Sequence, residues 1–255
     1  DEAARDRTKM AKELWTAIEE NQFHLHYQVQ KSVATGEITG YEVLLRWAHP
    51  ERGNVSPAEF IPVAEECGAI LPIGEWVLRE ACRQAAGWAA GHKVAVNLSP
   101  VQIAHADIAT LVHTVLLETG LQPSRLELEI TESSIFEDKP RALHALRAIK
   151  ALGVSIAIDD FGTGYSSLDT LQSFPFDKIK LDRSFLMNVE TSGQAMAMIR
   201  AVMALGRGLR IPVLAEGVET EDQLEILRDE GCHEAQGYLL GRPMSINDHL
   251  LDAAA

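Results

Sequence analysis

Apolar residues along this chain change their spacing repeatedly, and each change marks an element. Over residues 1–22, Met10, Leu14, Trp15 and Ile18 recur at helical spacing with charges opposite, which predicts an amphipathic docking helix, suited also to a linker from an upstream domain. Residues 23–29 and 40–47 read as strands, separated by about ten residues that hold the turn signal Thr35-Gly36. That gap is too short for a helical crossover, so these strands are expected to pair antiparallel. Thereafter helical and strand patterns alternate. Helices are predicted over 57–67, 73–90, 107–119, 140–152, 166–173, 193–209 and 221–230, and strands over 93–98, 125–130, 154–159, 177–181, 211–215 and 235–238. Eight strands, separated by helices from the second onward, predict a (β/α)8 TIM-like barrel with the first strand antiparallel to the rest. The fallback is an open doubly wound sheet, which needs a nucleotide fingerprint that the sequence lacks.

Polar residues interrupt this pattern at particular places. Asn97 lies near the end of VAVNLS, Glu129 near the end of LELEIT and Asp159 at the end of VSIAID, while Lys180 lies in DKIKLD, Glu216 follows IPVLA and Gln236 lies in the last strand. The C-terminal ends of barrel strands are where active sites assemble. Each residue has a plainer reading. Asn97 can cap a turn, Glu129 and Lys180 can form a buried ion pair, Glu216 can cap the helix at Glu221, and Asp159 with Asp160 can be solvated loop acids. Uncompensated buried charge is costly, so a shared ligand accounts for all of them more simply.

Composition narrows the ligand. The chain has 255 residues, 46% of them hydrophobic, and a net charge of −14, which argues against a surface that tracks duplex nucleic acid. If a phosphate ester binds, metals must provide much of the local positive charge. Cys67, Cys82 and Cys232 have no metal-ligand spacing and fit a reducing, cytoplasmic setting. No apolar run reaches about 18 residues and no signal segment opens the chain, so membrane insertion is not expected. The chain begins without Met, consistent with a piece of a longer protein. The histidines, among them His49, His92, His144 and His233, show no ligand spacing and are expected at the surface.

Glu42, Asn97, Glu129, Asp159, Asp160 and Glu216 offer hard oxygen ligands, which suits Mg2+ or Mn2+ rather than zinc. Two such ions about 4 Å apart polarise a phosphodiester, lower the pKa of a bridging water and stabilise the leaving oxygen. Lys180 is expected to hold that water, and Arg46 is a candidate phosphate fork or a structural salt-bridge partner.

These residues also carry a family resemblance. Glu42-Val43-Leu44-Leu45-Arg46-Trp47 resembles the EALLRW signature of the EAL domain family, cyclic di-GMP-specific phosphodiesterases with a barrel fold. The likeness continues through Asn97-Leu98-Ser99, Glu129-Ile130-Thr131-Glu132-Ser133, Asp159-Asp160-Phe161-Gly162-Thr163-Gly164, Lys180-Leu181-Asp182, Glu216-Gly217-Val218-Glu219 and Gln236-Gly237-Tyr238, spanning about residues 23 to 243. The resemblance implies that Glu42, Asn97, Glu129 and Asp159 hold one metal, and that Asp159, Asp160 and Glu216 hold a second. It implies that Lys180 contacts the nucleophilic water, with Gln236 near the metal-bound waters, and that Gln28, Arg46 and Asp182 contact substrate. Residues 160–168, with Phe161, Gly162, Thr163 and Gly164, are similar to the loop that couples dimerisation to metal binding. Glu132 resembles the glutamate that ties this loop down, and Glu219 a supporting acid.

The implied reaction is in-line hydrolysis of cyclic di-GMP to linear pGpG by a homodimer, with residues 23–255 as the phosphodiesterase domain and a sensory or GGDEF domain upstream. Val43 and Val29 depart from the family's usual alanine and proline. Glu42 lies early in its predicted strand. Two other function classes compete: a receptor that binds cyclic di-GMP without cleaving it, and a protein-interaction module.

Overall fold

The computed structural model describes residues 2–132, 138–162, 171, 173–187 and 189–252. Its centre is a closed barrel of β1 (Phe23–Ser32), β2 (Ile38–His49), β4 (Lys93–Asn97), β5 (Leu126–Thr131), β6 (Ser155–Phe161), β7 (Lys178–Leu181), β8 (Val213–Ala215) and β9 (Glu234–Ala235). β1 pairs antiparallel with β2 on one side and with β9 on the other, whereas the pairs from β2–β4 through β8–β9 are parallel. The fold is thus a (β/α)8 TIM-like barrel with its first strand reversed. A short β3 (Gly53–Val55), absent from the sequence pattern, extends β2 as a hairpin outside the ring.

Helices wrap the barrel: α1 (Glu2–Glu19), α2 (Pro57–Glu66), α3 (Ile70–Ala86), α4 (Pro100–His105), α5 (Ile108–Thr119), α6 (Lys139–Ala151), α7 (Gly193–Leu209), α8 (Glu221–Asp229) and α9 (Ile246–Asp252). Local chemistry sets several boundaries. Pro57 opens α2, while Ser99–Gln102 and Thr220–Gln223 form capping boxes that start α4 and α8. Those caps displace the plainer readings of two site residues, because neither Asn97 nor Glu216 is the capping residue. α4 and α9 carry too few turns to register as helical periods. The helix expected over 166–173 falls mostly outside the described residues.

Alternation explains why β5 is buried on both faces. Leu126, Leu128 and Ile130 face the helix layer, whereas Glu127 and Glu129 point into the lumen. In barrels of this kind alternate strands share a lumen layer. Here β2, β5, β7 and β9 contribute Glu42, Glu129, Lys180 and the adjoining Gln236, all buried. Two residues earlier, Glu127 on β5, Lys178 on β7 and Glu234 on β9 form a lower layer.

Other expectations need correction. Glu42 is well inside its strand because β2 begins at Ile38. The last strand stops at Ala235, so Gln236 lies just beyond it. Trp15 was expected on the docking face of α1 but is 47% exposed, while Met10, Leu14 and Ala17 are buried. His49 is buried rather than at the surface, because the β2–β3 turn folds over it and its Nδ1 accepts from the backbone N–H groups of Glu51 and Arg52. His249 is also buried, beside the Tyr27 carbonyl.

Candidate active site

Lys180 is the hub of the lumen's upper end. Its fully buried ammonium lies 2.5 Å from Glu129, 2.7 Å from Glu216, 3.4 Å from Asp159 and 3.6 Å from Glu42. Those carboxylates come from β5, the end of β8, β6 and β2, so distant segments meet at the C-terminal mouth of the barrel. Asn97 at the end of β4 joins them by donating Nδ2 to Glu42 Oε1 at 2.8 Å. Gln236 donates Nε2 to Glu42 Oε2 at 2.5 Å and to Gln28 Oε1 at 3.0 Å, and accepts from Gln30 Nε2 at 3.1 Å. The ion pair offered as the plain reading of Glu129 and Lys180 exists, but as one edge of a larger cluster.

Adjacent strand residues ordinarily face opposite ways, yet Asp159 and Asp160 both serve this site. Between Ile158 and Phe161 the β6–β7 register slips, and Asp160 takes a left-handed backbone with φ of 53°. This bulge re-aims the second carboxylate, and oxygens of Asp159, Asp160 and Glu216 come within 4.8 Å of one another. Gly162 follows at φ of 90°, where an added Cβ would approach Phe185 Cζ to 2.8 Å. Phe161 is buried, as is Glu132 at the end of β5. Thr163, Gly164 and the rest of the 160–168 loop lie outside the described residues.

The electrostatics are those of an anionic cluster with too little positive charge. The cluster holds the carboxyl groups of Glu42, Glu129, Asp159, Asp160 and Glu216 against the one ammonium of Lys180, a formal excess of four negative charges when all five are ionised, which two divalent cations would balance. Burial pushes the Glu129 carboxyl well above the ordinary carboxylate range, with Glu42 adding to the effect and Lys180 opposing it. Burial also raises Glu216 to about 7 against the pull of Lys180, and raises Asp160 with help from Asp159. Glu42 goes the other way. Burial disfavours its charge, but Lys180 and the hydrogen bonds from Gln236 and Asn97 hold its carboxyl below the usual value. Burial favours a neutral Lys180 as well, but Glu129, Glu216, Glu42 and Asp159 outweigh it and keep the lysine charged.

The residues present fit a divalent metal. All donors are oxygen, and Glu129 Oε1 is buried without a hydrogen-bond partner among the described residues.

A cavity of about 330 Å³ opens over the cluster, lined by Glu42, Asp159, Glu216 and Gln236 together with Gln28, Arg46 and Glu219. A second cavity, of about 260 Å³, adjoins it through Leu44 and Arg46 and is largely apolar, with Pro57, Ile61 and Ile73 in its wall. Asp182 stands off this floor, its Oδ1 accepting from Ser184 N at 3.0 Å. Sequence patterning missed Arg183, Tyr238 and Pro243, which also line the first cavity. Arg242 stacks over the Tyr238 ring at 4.4 Å, a pairing that no spacing rule signals.

Comparison with known proteins adds an independent line. The family model described as EAL domain matches residues 11–243. The chain is 56% identical over 247 residues to an uncharacterized signaling protein of Caulobacter vibrioides, covering 97% of this chain and 30% of that protein. It is 45% identical over 255 residues to the bifunctional diguanylate cyclase/cyclic di-GMP phosphodiesterase MucR of Pseudomonas aeruginosa, covering 98% of this chain and 37% of that one. Among solved structures, the PaMucR phosphodiesterase in its c-di-GMP complex matches with a TM-score of 0.90 at 45% identity, over 94% of this chain and 99% of that chain. The chain thus spans about a third of the length of these curated relatives.

Proposed function

The chain belongs to the EAL domain family, and from that premise we propose that it is a metal-dependent phosphodiesterase that hydrolyses cyclic di-GMP to linear 5′-pGpG. The observation that carries this reading is the convergence of Glu42, Glu129, Asp159 and Glu216 on Lys180 at the barrel mouth, beneath a cavity edged by Arg46.

In this reading Glu42, Asn97, Glu129 and Asp159 would hold one divalent cation, Mg2+ or Mn2+, and Asp159, Asp160 and Glu216 a second, and the pair would supply Lewis-acid polarisation of the phosphoryl group and of the attacking water. The chain's own residues do the rest. Arg46, with Gln28 lining the same cavity, grips phosphate oxygens and fixes the scissile ester in line. The adjoining apolar cavity takes a nucleobase. Lys180 orients the water and offsets negative charge growing on phosphorus, and Gln236 is held in orientation by Gln28, Gln30 and Glu42. The water's hydroxyl joins phosphorus, the bond from phosphorus to O3′ breaks, and the proton ends on O3′. Glu132 and Glu219 support the surrounding loops, and Asp182 borders the substrate through its turn.

The whole protein's arrangement belongs to the same proposal. The chain pairs as a homodimer beside residues 160–168, and a sensory or GGDEF domain adjoins it in a longer polypeptide, a reading supported by the bifunctional relative. Cys67, Cys82 and Cys232 are free thiols, and no helix among the described residues is long and apolar enough to cross a membrane, which supports a cytoplasmic setting.

The test is incubation of the purified protein with cyclic di-GMP and Mn2+, with chromatography for pGpG. Product is expected, and Glu42→Ala should abolish it. Tight binding without product would instead make the chain a receptor, and neither would make it an interaction module. Sedimentation across a concentration series checks the dimer, which persistent monomer behaviour with metal and substrate would contradict.

A further inference from the structure

We propose that Glu127, Lys178 and Glu234, the charged layer beneath the site, are positioning residues that set where Lys180 and Gln236 stand; this inference rests on the phosphodiesterase reading above. Each is the lumen neighbour, two residues back along the same strand, of an upper-layer residue: Glu127 of Glu129, Lys178 of Lys180, and Glu234 of Gln236. The Lys178 ammonium lies 2.8 Å from Glu127 and 2.7 Å from Glu234, with Lys178 and Glu127 almost wholly buried. One cation therefore ties β7 to β5 across β6 and to β9 across β8, where Ala157 and Leu214 carry no charge.

The tie matters because the strands from β7 to β9 are short. β7 has four residues, β8 three and β9 two, so few ladder hydrogen bonds fix their height in the barrel. The contacts that hold Lys180 from above are not dependable during the reaction. Glu129, Glu216, Asp159 and Glu42 are also the oxygen donors a cation takes, and what they give a cation they withdraw from the ammonium. Support from below does not compete with the ligand. None of Glu127, Lys178 and Glu234 lines the cavity over the site, and on the side away from it the half-exposed Lys93 lies 3.4 Å from Ser155 Oγ and 4.0 Å from Glu127.

A layer that only stabilises the barrel is separable from one that positions. In Glu127→Gln/Lys178→Met/Glu234→Gln the charges are removed together, so no carboxylate is left unpaired and the melting temperature should stay close to wild type. We expect kcat for cyclic di-GMP with Mn2+ to fall about tenfold or more while KM changes less than about threefold, as misplacement of a reacting group does. Lys178→Arg, which keeps both charge pairs, should retain most of kcat. A crystal structure of the neutral variant should show the Lys180 ammonium drawn away from Glu129.

Unchanged kcat in the folded neutral variant, KM rising in step with any loss, or Lys180 unmoved in the crystal would each overturn the inference. Should the neutral layer fail to fold, Glu234→Gln removes one tie at the more exposed partner, and a fall in kcat of about threefold at constant KM is then expected, with no change counting against us. If wild-type protein makes no pGpG, the phosphodiesterase reading fails, and the position of Lys180 in the variant crystal still decides this one.

Discussion

A lysine with no exposure to water is tolerable only where anions surround it, and Lys180 has four carboxylates within reach. Replacing it with Met leaves those acids to repel one another. Lys180→Met is expected to cost about 3–5 kcal/mol of metal-free stability and to lower kcat by about 10²–10⁴, measured by chemical denaturation and by steady-state turnover. Added Mn2+ should restore much of the stability and none of the rate.

The carboxyls make a separate prediction in pH. Glu216 is raised to about 7 from an ordinary 4.5, so between those values the folded chain binds a proton that the unfolded chain releases. Its contribution to metal-free stability is therefore fully present below about 4.5, declines as pH rises between the two values, and levels off, lost, above about 7. Cation binding must displace that proton, so the rise in melting temperature produced by Mn2+ should be larger at pH 8 than at pH 6, as thermal melts would report. An equal shift at both values would contradict this assignment.

At this scale the upper layer was legible because charge inside an apolar strand is conspicuous. The lower layer was equally charged in LELEIT and DKIKLD, but patterning attends to strand ends, and only the alternate-strand geometry of the barrel shows that Glu127, Lys178 and Glu234 meet.

Among the elements, β6 shows where sequence reading ends. Its apolar alternation predicted a buried strand ending in acid. That the second aspartate can turn back towards the first where the strand breaks is legible, but the left-handed backbone by which Asp160 does so is not, since Asp tolerates that conformation without requiring it. Asn tolerates it as well. Asp160→Asn should therefore keep the melting temperature while weakening Mn2+ binding about tenfold, read by calorimetry, because it removes a charged donor and leaves the bulge intact. The short β3, α4 and α9 were missed for a different reason, having too few residues to display a period. β5 was easy to recognise because its apolar residues alternate regularly. Leu128, wholly buried between barrel and helices, is expected to cost about 2–5 kcal/mol when changed to Ala, with KM unaffected in whatever protein remains folded.

Over the whole molecule, acidic residues outnumber basic ones. The chain carries a net charge of −14 and gathers acids at the barrel mouth, so it is poorly suited to any polyanion approaching a bare surface. In the proposed reading a phosphate ester enters where Arg46 edges the cavity, and bound divalent cations would reverse the sign of the floor. The barrel was legible from the rhythm of strands and helices, and its reversed first strand from a gap too short for a crossover. Which carboxylates come together is not something rhythm specifies, because it depends on the bulge in β6 and on the stagger of strands around the ring.

The most direct test of the account is anomalous diffraction from crystals of the protein soaked in Mn2+ with cyclic di-GMP. Two peaks about 4 Å apart are expected, one among Glu42, Asn97, Glu129 and Asp159 and the other between Asp159, Asp160 and Glu216, with a phosphate of the ligand over both. Crystals in which manganese scatters elsewhere, or in which the dinucleotide lies away from Lys180 and Arg46, would contradict it.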